Sequence, residues 1–266
     1  MQSQYGKLLS MSQSGEVMDV KRRELYDFSR WGRIFEAKRT RGELLPWSDS
    51  YKLSAGERHT IDDSIAQFEL GENAQGRSLR AAARRYAESS GDWSYLSALD
   101  LFIEEEQRHS HYLRKFMIIQ RLPLAGAHWV DETFRWLRKR AGLELFVVVL
   151  VTAEIVAQPY YRALRAATNS PLLQEICREI LRDEAQHLCF QGNVLRKLRQ
   201  RRSGVSLKIW EWLHHLLMMG TCTVVWHSHR KVLACGGYSL GSFTAACRRT
   251  LRSLHGLART PLVQGN

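Results

Sequence analysis

Apolar residues recur at helical spacing along most of the chain, and no stretch alternates apolar and polar residues long enough to make a strand. The first run, Ile61, Ile65, Phe68, Leu79 and Tyr86, predicts one helix from about residue 57 to Ser89. Ser54 followed by Glu57 marks its start as a capping box, with each side chain meeting the other's backbone N–H. Gly91 ends it, and Asp92 stands ready to cap the next helix, about Trp93 to Arg121. That second helix turns Leu99, Phe102, Ile103, Leu113, Phe116 and Met117 inward. A long connection from Pro123 to Gly142 has room for a short helix around Thr133–Lys139. The third helix, about Leu143 to Ala167, is apolar nearly all round, as a helix buried on every side must be. Asn169-Ser170-Pro171 turns into a fourth, reaching about Arg201, with Ile176, Ile180, Leu188 and Leu195 inward. Two more helices, about 205–233 and 240–256, are separated by Gly236-Gly237.

Two helical hairpins joined by a long crossover are one of the connectivities of a four-helix bundle. The expected fold is therefore all-α. A four-helix bundle over residues 57–202 carries a long crossover between its second and third helices. Residues 1–56 form an N-terminal extension, polar and disordered over its first twenty residues, and residues 203–266 form a C-terminal helical pair packed on the bundle.

Composition fits that picture. A chain of 266 residues with 44% hydrophobic content supports a sizeable core. The cysteines, Cys177, Cys189, Cys222, Cys235 and Cys247, are odd in number and include no CxxC pair, which disfavours a disulfide framework and suits the reducing cytoplasm. The N-terminus lacks the pattern of a secretory signal. The nearest approach to a membrane span, Ile209 to Trp226, is interrupted by Glu211, His214 and His215, so no transmembrane span is expected. The net charge of +12 is concentrated at Lys21–Arg41, Arg196–Lys208 and Arg248–Arg252. Such a field suits an acidic carrier protein or an anionic surface; no nucleic-acid-binding motif accompanies it.

The chemistry lies in Glu-x-x-His pairs, whose spacing aims a carboxylate and an imidazole from one helix face at one point. There are three: Glu106/His109, Glu184/His187 and Glu211/His214. About one match is expected by chance, so context decides among them. Glu106 and Glu184 lie on inward stripes, where a carboxylate needs a cation or hydrogen bonds to compensate it. Each follows another acid, Glu105 and Asp183, placed to reach histidine ring nitrogens from outside the site. Glu211/His214 lies beyond the two hairpins and reads as structural. Counting from the first turn near Ser90, Glu106 lies at 106−90 = 16 and Glu72 at 90−72 = 18, so the two stand at similar height; Glu69 is the fallback. Counting from Asn169, Glu184 and Glu154 each lie fifteen residues away. Four carboxylates and two imidazoles without a thiolate suit two iron ions, or manganese at one position.

One Glu, then Glu-x-x-His, then one Glu, then Glu-x-x-His resembles the ferritin-like di-iron carboxylate superfamily, and FELGENAQG, FIEEEQRH and RDEAQH resemble segments of a bacterial ferritin-like family. The resemblance spans about residues 60–200. It implies Glu72, Glu106 and His109 at one iron and Glu154, Glu184 and His187 at the other, with Glu106 and Glu184 bridging. EEQRH and RDEAQH also resemble ligand motifs of acyl-carrier desaturases and arylamine oxygenases, although this chain is shorter than the desaturases and has its own C-terminal helices.

The resemblance implies ferroxidation, peroxide reduction, desaturation, hydroxylation or N-oxygenation. The added helices, aromatic content and an expected kink in the third helix favour an oxidoreductase that uses dioxygen on an organic substrate, as an oxygenase, hydroxylase or desaturase, with an electron donor such as a ferredoxin. A ferroxidase or iron-handling protein, which predicts an oligomeric shell, and a non-catalytic basic binding module are the alternatives. Pro159 is expected to kink or open the third helix five residues after Glu154. Tyr161, two turns from Glu154, and Tyr86, on the first helix's inward stripe, are candidate redox-active or hydrogen-bonding tyrosines. His227 and His229 read as surface histidines. The segment IWEWLHHLLMMGTCTVVWHSHR can cover the bundle, wall a substrate cavity or dock on a membrane surface.

Overall fold

The capping box forms as written: the Ser54 side chain accepts from the Glu57 N–H, and Glu57 accepts from the Ser54 N–H at 2.7 Å. It opens α2 (Ala55–Glu72) in a computed structural model that describes residues 28–38, 45–73, 76–125, 142–200 and 202–259. The other helices are α1 (Phe28–Glu36), α3 (Arg77–Ser90), α4 (Trp93–Gln120), α5 (Leu143–Ala166), α6 (Pro171–Arg199), α7 (Gly204–Cys235) and α8 (Leu240–Arg259). Among the described residues the fold is all-helical, with no strand. Residues 1–27, and the short helix expected near Thr133–Lys139, lie outside them.

Glu57 also reaches across the molecule. Its Oε1 accepts the Asn169 backbone N–H at 2.8 Å and the Thr168 hydroxyl at 3.3 Å, tying the start of the first hairpin to the turn of the second. Burial opposes the Glu57 carboxylate, but the N–H groups of Asn169 and Ser54 outweigh it and hold the pKa at about 2.

The single first helix expected over 57–89 is in fact two. The chain breaks after Glu72, and Gly76 adopts a left-handed φ of 59°, where a Cβ would lie 2.6 Å from Ile103 Cδ1. Gly76 permits this conformation, and helical periodicity on both sides of it hid the break. Glu72 thus ends α2, and α3 starts afresh at Arg77.

The predicted stripes of α4 and α6 are all buried. Helix α5 packs against α6 most extensively and also meets α3, α7 and α8. It is the one described helix long and apolar enough to cross a membrane, which corrects the reading of 209–226 as the nearest approach. Some 72% of its apolar window is buried by these neighbours, the condition of a core helix. The opening expected at Pro159 is not observed: α5 continues through it, and Pro159, Tyr160 and Tyr161 are buried. Helix α1 packs on α4 and places Phe28, Trp31 and Phe35 in the core, so this part of the extension is integral to the fold. At the other end, α7 lies on α2 and α5, and α8 on α5 and α6. Their turn presses on α5 so closely that a Cβ at Gly236 would lie 2.6 Å from the Ala163 Cβ.

Candidate metal centre

Four helices deliver one or two side chains each to a common buried point. Glu72 comes from the end of α2, Glu106 and His109 from α4, Glu154 from α5, and Glu184 and His187 from α6. They form two overlapping sets: Glu72, Glu106, His109 and Glu184; and Glu106, Glu154, Glu184 and His187. Within each set, one donor atom per side chain lies within 4.8 Å of the others, so each set can hold a metal ion. Glu106 and Glu184 belong to both.

His187 Nδ1 lies 2.8 Å from Glu106 Oε1, 3.6 Å from Glu154 Oε2 and 4.0 Å from Glu184 Oε2. His109 Nδ1 lies 3.9 Å from Glu184 Oε1. His109 Nδ1 and Glu184 Oε2 are buried without a hydrogen bond, and the close pair His187 Nδ1 and Glu106 Oε1 has no hydrogen-bond partner beyond that ion pair. Under-satisfied polar atoms in a core are costly, and their convergence with the other carboxylate groups on one spot is an arrangement a cation resolves. Electrostatics show the same crowding. Burial, then the neighbouring carboxylates, pushes Glu72 and Glu184 well above the usual carboxylate range. Burial also opposes ionisation of Glu106, but His187 and His109 outweigh it and hold Glu106 low. Burial would lower His187; Glu106 and Glu105 overcome it and raise it well above the ordinary histidine value. Divalent cations would relieve this crowding of carboxylates and compete with protons for the site.

The outward nitrogens are fixed by the acids preceding each motif, in a crossed pattern. His187 Nε2 meets Glu105 Oε2 at 3.0 Å, and His109 Nε2 meets Asp183 Oδ2 at 3.1 Å, so each acid serves the histidine of the other helix. A proton on Nε2 in these bonds leaves the Nδ1 lone pair facing the centre. Lys38, just past α1 and 4% exposed, closes this outer layer: its Nζ lies 2.5 Å from Asp183 Oδ1 and 3.8 Å from Glu105 Oε1. Arg108 holds the same Glu105 oxygen at 2.9 Å. Burial opposes the Asp183 carboxylate, but His109 and Lys38 outweigh it and depress its pKa. No local signal distinguishes Lys38 from the other basic residues of Lys21–Arg41, so sequence reasoning missed it.

Tyr161 joins the cluster, its hydroxyl donating to Glu72 Oε1 at 2.5 Å. Tyr86 is not brought there: it is half-buried with its ring edge-on to Tyr95 at 5.7 Å, because the break at Gly76 takes α3 out of register with α2. The fallback Glu69 has partners of its own, the Ser110 hydroxyl at 2.9 Å and Arg114 at 3.6 Å. Glu211 and His214 lie outside both sets. His214 bonds Thr152 and His255, each at 3.1 Å, and burial beside His255 pulls its pKa down to about 2. His227 is exposed, but His229 is buried and overturns the surface reading. A non-helical residue in α7 (φ −121°), it turns inward so that its Nδ1 meets Ser64 Oγ at 2.9 Å, and Ser64 in turn meets the Tyr160 hydroxyl at 3.1 Å.

Comparison with protein-family models, with curated proteins and with solved structures finds no match for this chain.

Proposed function

We propose that this chain is a ferritin-like di-iron carboxylate oxidoreductase, a four-helix bundle of α2–α3, α4, α5 and α6, which activates dioxygen to oxidise an organic substrate. The observation that supports a dinuclear site is the pair of donor sets sharing Glu106 and Glu184; the added helices and aromatic content around the bundle favour an organic substrate over iron storage. Four oxygen and two nitrogen donors without a thiolate match iron or manganese better than a structural zinc site. Two adjacent ferrous ions, when bound, supply the electrons that reduce dioxygen. Glu72, Glu106 and His109 would hold one ion and Glu154, Glu184 and His187 the other, with Glu106 and Glu184 between them. Glu105, Asp183 and Lys38 keep the imidazoles aimed inward, and Tyr161 keeps a hydrogen bond on Glu72. The rings of Phe35 and Phe102, 6.1 and 4.7 Å from that of His187, wall the site with apolar surface.

The test is the iron content of protein purified from iron-supplemented cells, beside its Glu154→Ala variant. Two ions per chain are expected in the wild type and a clear loss in the variant; equal metal in both would refute the assignment. Dioxygen uptake then separates this reading from a ferroxidase. Uptake limited to the bound iron, and renewed only by an electron donor, supports an oxidase. Uptake sustained by excess free ferrous iron would favour iron handling.

A further inference from the structure

The charge of this protein is segregated. The 82 residues after Glu184 hold twelve lysines and arginines and a single acid, Glu211. Arg199 and Arg202 pair with Glu144 and Lys197 with Asp92, and Arg196 is buried, while Lys208, Arg230, Arg248, Arg249 and Arg252 are exposed. Glu211 is buried, so no carboxylate of α7 is exposed, and α8 contains none. Across the same region α7 exposes a continuous apolar stripe: Val205, Ile209, Trp212, Leu213, Leu216 and Met219. Steps of three or four residues, with Leu213 beside Trp212, keep them on one face for about 21 Å of helix. Trp212 is 61% exposed and Val205 72%, and only Lys208 interrupts the stripe with a charge. The opposite face of α7, with His214, Met218 and Cys222, is buried against the body, so the helix lies along the protein surface. Arg230 lies further along α7, and neighbouring α8 exposes Arg248, Arg249 and Arg252.

We infer that the outer face of α7 docks in the plane of an anionic lipid bilayer, with its apolar stripe in the headgroup–acyl boundary and the surrounding basic groups on acidic headgroups. Both features are satisfied at once by such a surface. A phosphate polymer would satisfy the charge but leave Trp212, Leu213 and Leu216 in water. A second copy could cover the stripe, but a symmetric pairing would bring two faces of high positive charge together. This inference does not rest on the identity of the metal or on the reaction proposed above.

The test uses the full chain with vesicles of phosphatidylcholine alone, or with about 30% phosphatidylglycerol. The expected result is co-flotation with the anionic vesicles only, weakened by salt at about 0.5 M, with a blue shift of tryptophan emission. The double variant Trp212→Ser, Leu216→Ser should lower the apparent affinity at least about tenfold while keeping wild-type helicity, melting temperature and metal content. A charge variant, Arg248→Glu with Arg249→Glu, should also weaken binding but leave the blue shift of the bound fraction in place. Absence of binding to anionic vesicles, equal binding to neutral ones, or binding unchanged in the double variant would overturn the inference. So would a wild-type dimer in sedimentation that the double variant converts to monomer, which would assign the stripe to a second copy.

Discussion

Replacing Lys38 by methionine should weaken the fold and the candidate metal centre through two separable effects. The Lys38 ammonium is buried between two carboxylates, 2.5 Å from Asp183 and 3.8 Å from Glu105. Removing one partner of a buried ion pair costs about 3–5 kcal/mol, because the other charge is left without compensation. Glu105 keeps Arg108 at 2.9 Å, so the loss falls mainly on Asp183 and the lower end, about 3 kcal/mol, is expected. The second effect acts on the site. Asp183 holds His109 Nε2 at 3.1 Å, and an Asp183 that takes up a proton no longer fixes that imidazole as well. Loss of such an outer partner lowers metal affinity by about 10–100-fold. Urea unfolding without added metal reads the first effect, and anaerobic titration with ferrous or cobaltous ion reads the second. In the double variant Lys38→Met, Asp183→Asn, no uncompensated charge remains at this pair, so most of the lost stability should return while the metal affinity stays low. Wild-type stability together with wild-type affinity in Lys38→Met would refute the reasoning.

Two further substitutions test the frame around the site. Glu57→Gln removes a carboxylate whose pKa is held at about 2, so its stabilisation is present above the ordinary carboxylate range and is lost as pH falls from about 4.5 to about 2. Discounted for partial exposure, about 1–2 kcal/mol should separate variant and wild type in urea at pH 7 and the gap should shrink near pH 3; a constant gap would contradict the assignment. Gly76→Ala forces an L side chain into a left-handed conformation beside Ile103, at about 1–2 kcal/mol, and should lower the melting temperature by roughly 2–6 °C. An unchanged melting temperature would argue that α2 and α3 are one helix.

Local repetition carried much of this protein's design in readable form. The stripes of α4 and α6, the Ser54/Glu57 box and the stop at Gly91 follow from contacts three or four residues apart, and such contacts are written in spacing alone. Glu-x-x-His works the same way, since a helix turns both side chains to one face; equal counts from Asn169 then set Glu154 and Glu184 at one height. Other features depend on how helices rotate and cross. Glu105 and Asp183 exchange histidines between α4 and α6. Lys38 arrives from beyond α1, Glu57 reaches the Asn169 turn, and the turn of α7 at His229 brings that ring to Ser64. The break at Gly76 separates Tyr86 from a face that unbroken periodicity would have shared with Glu72. Each of these joins residues distant along the chain, through hydrogen bonds or charges whose partners are chosen by interhelical angle and axial rotation, and one-dimensional spacing encodes neither.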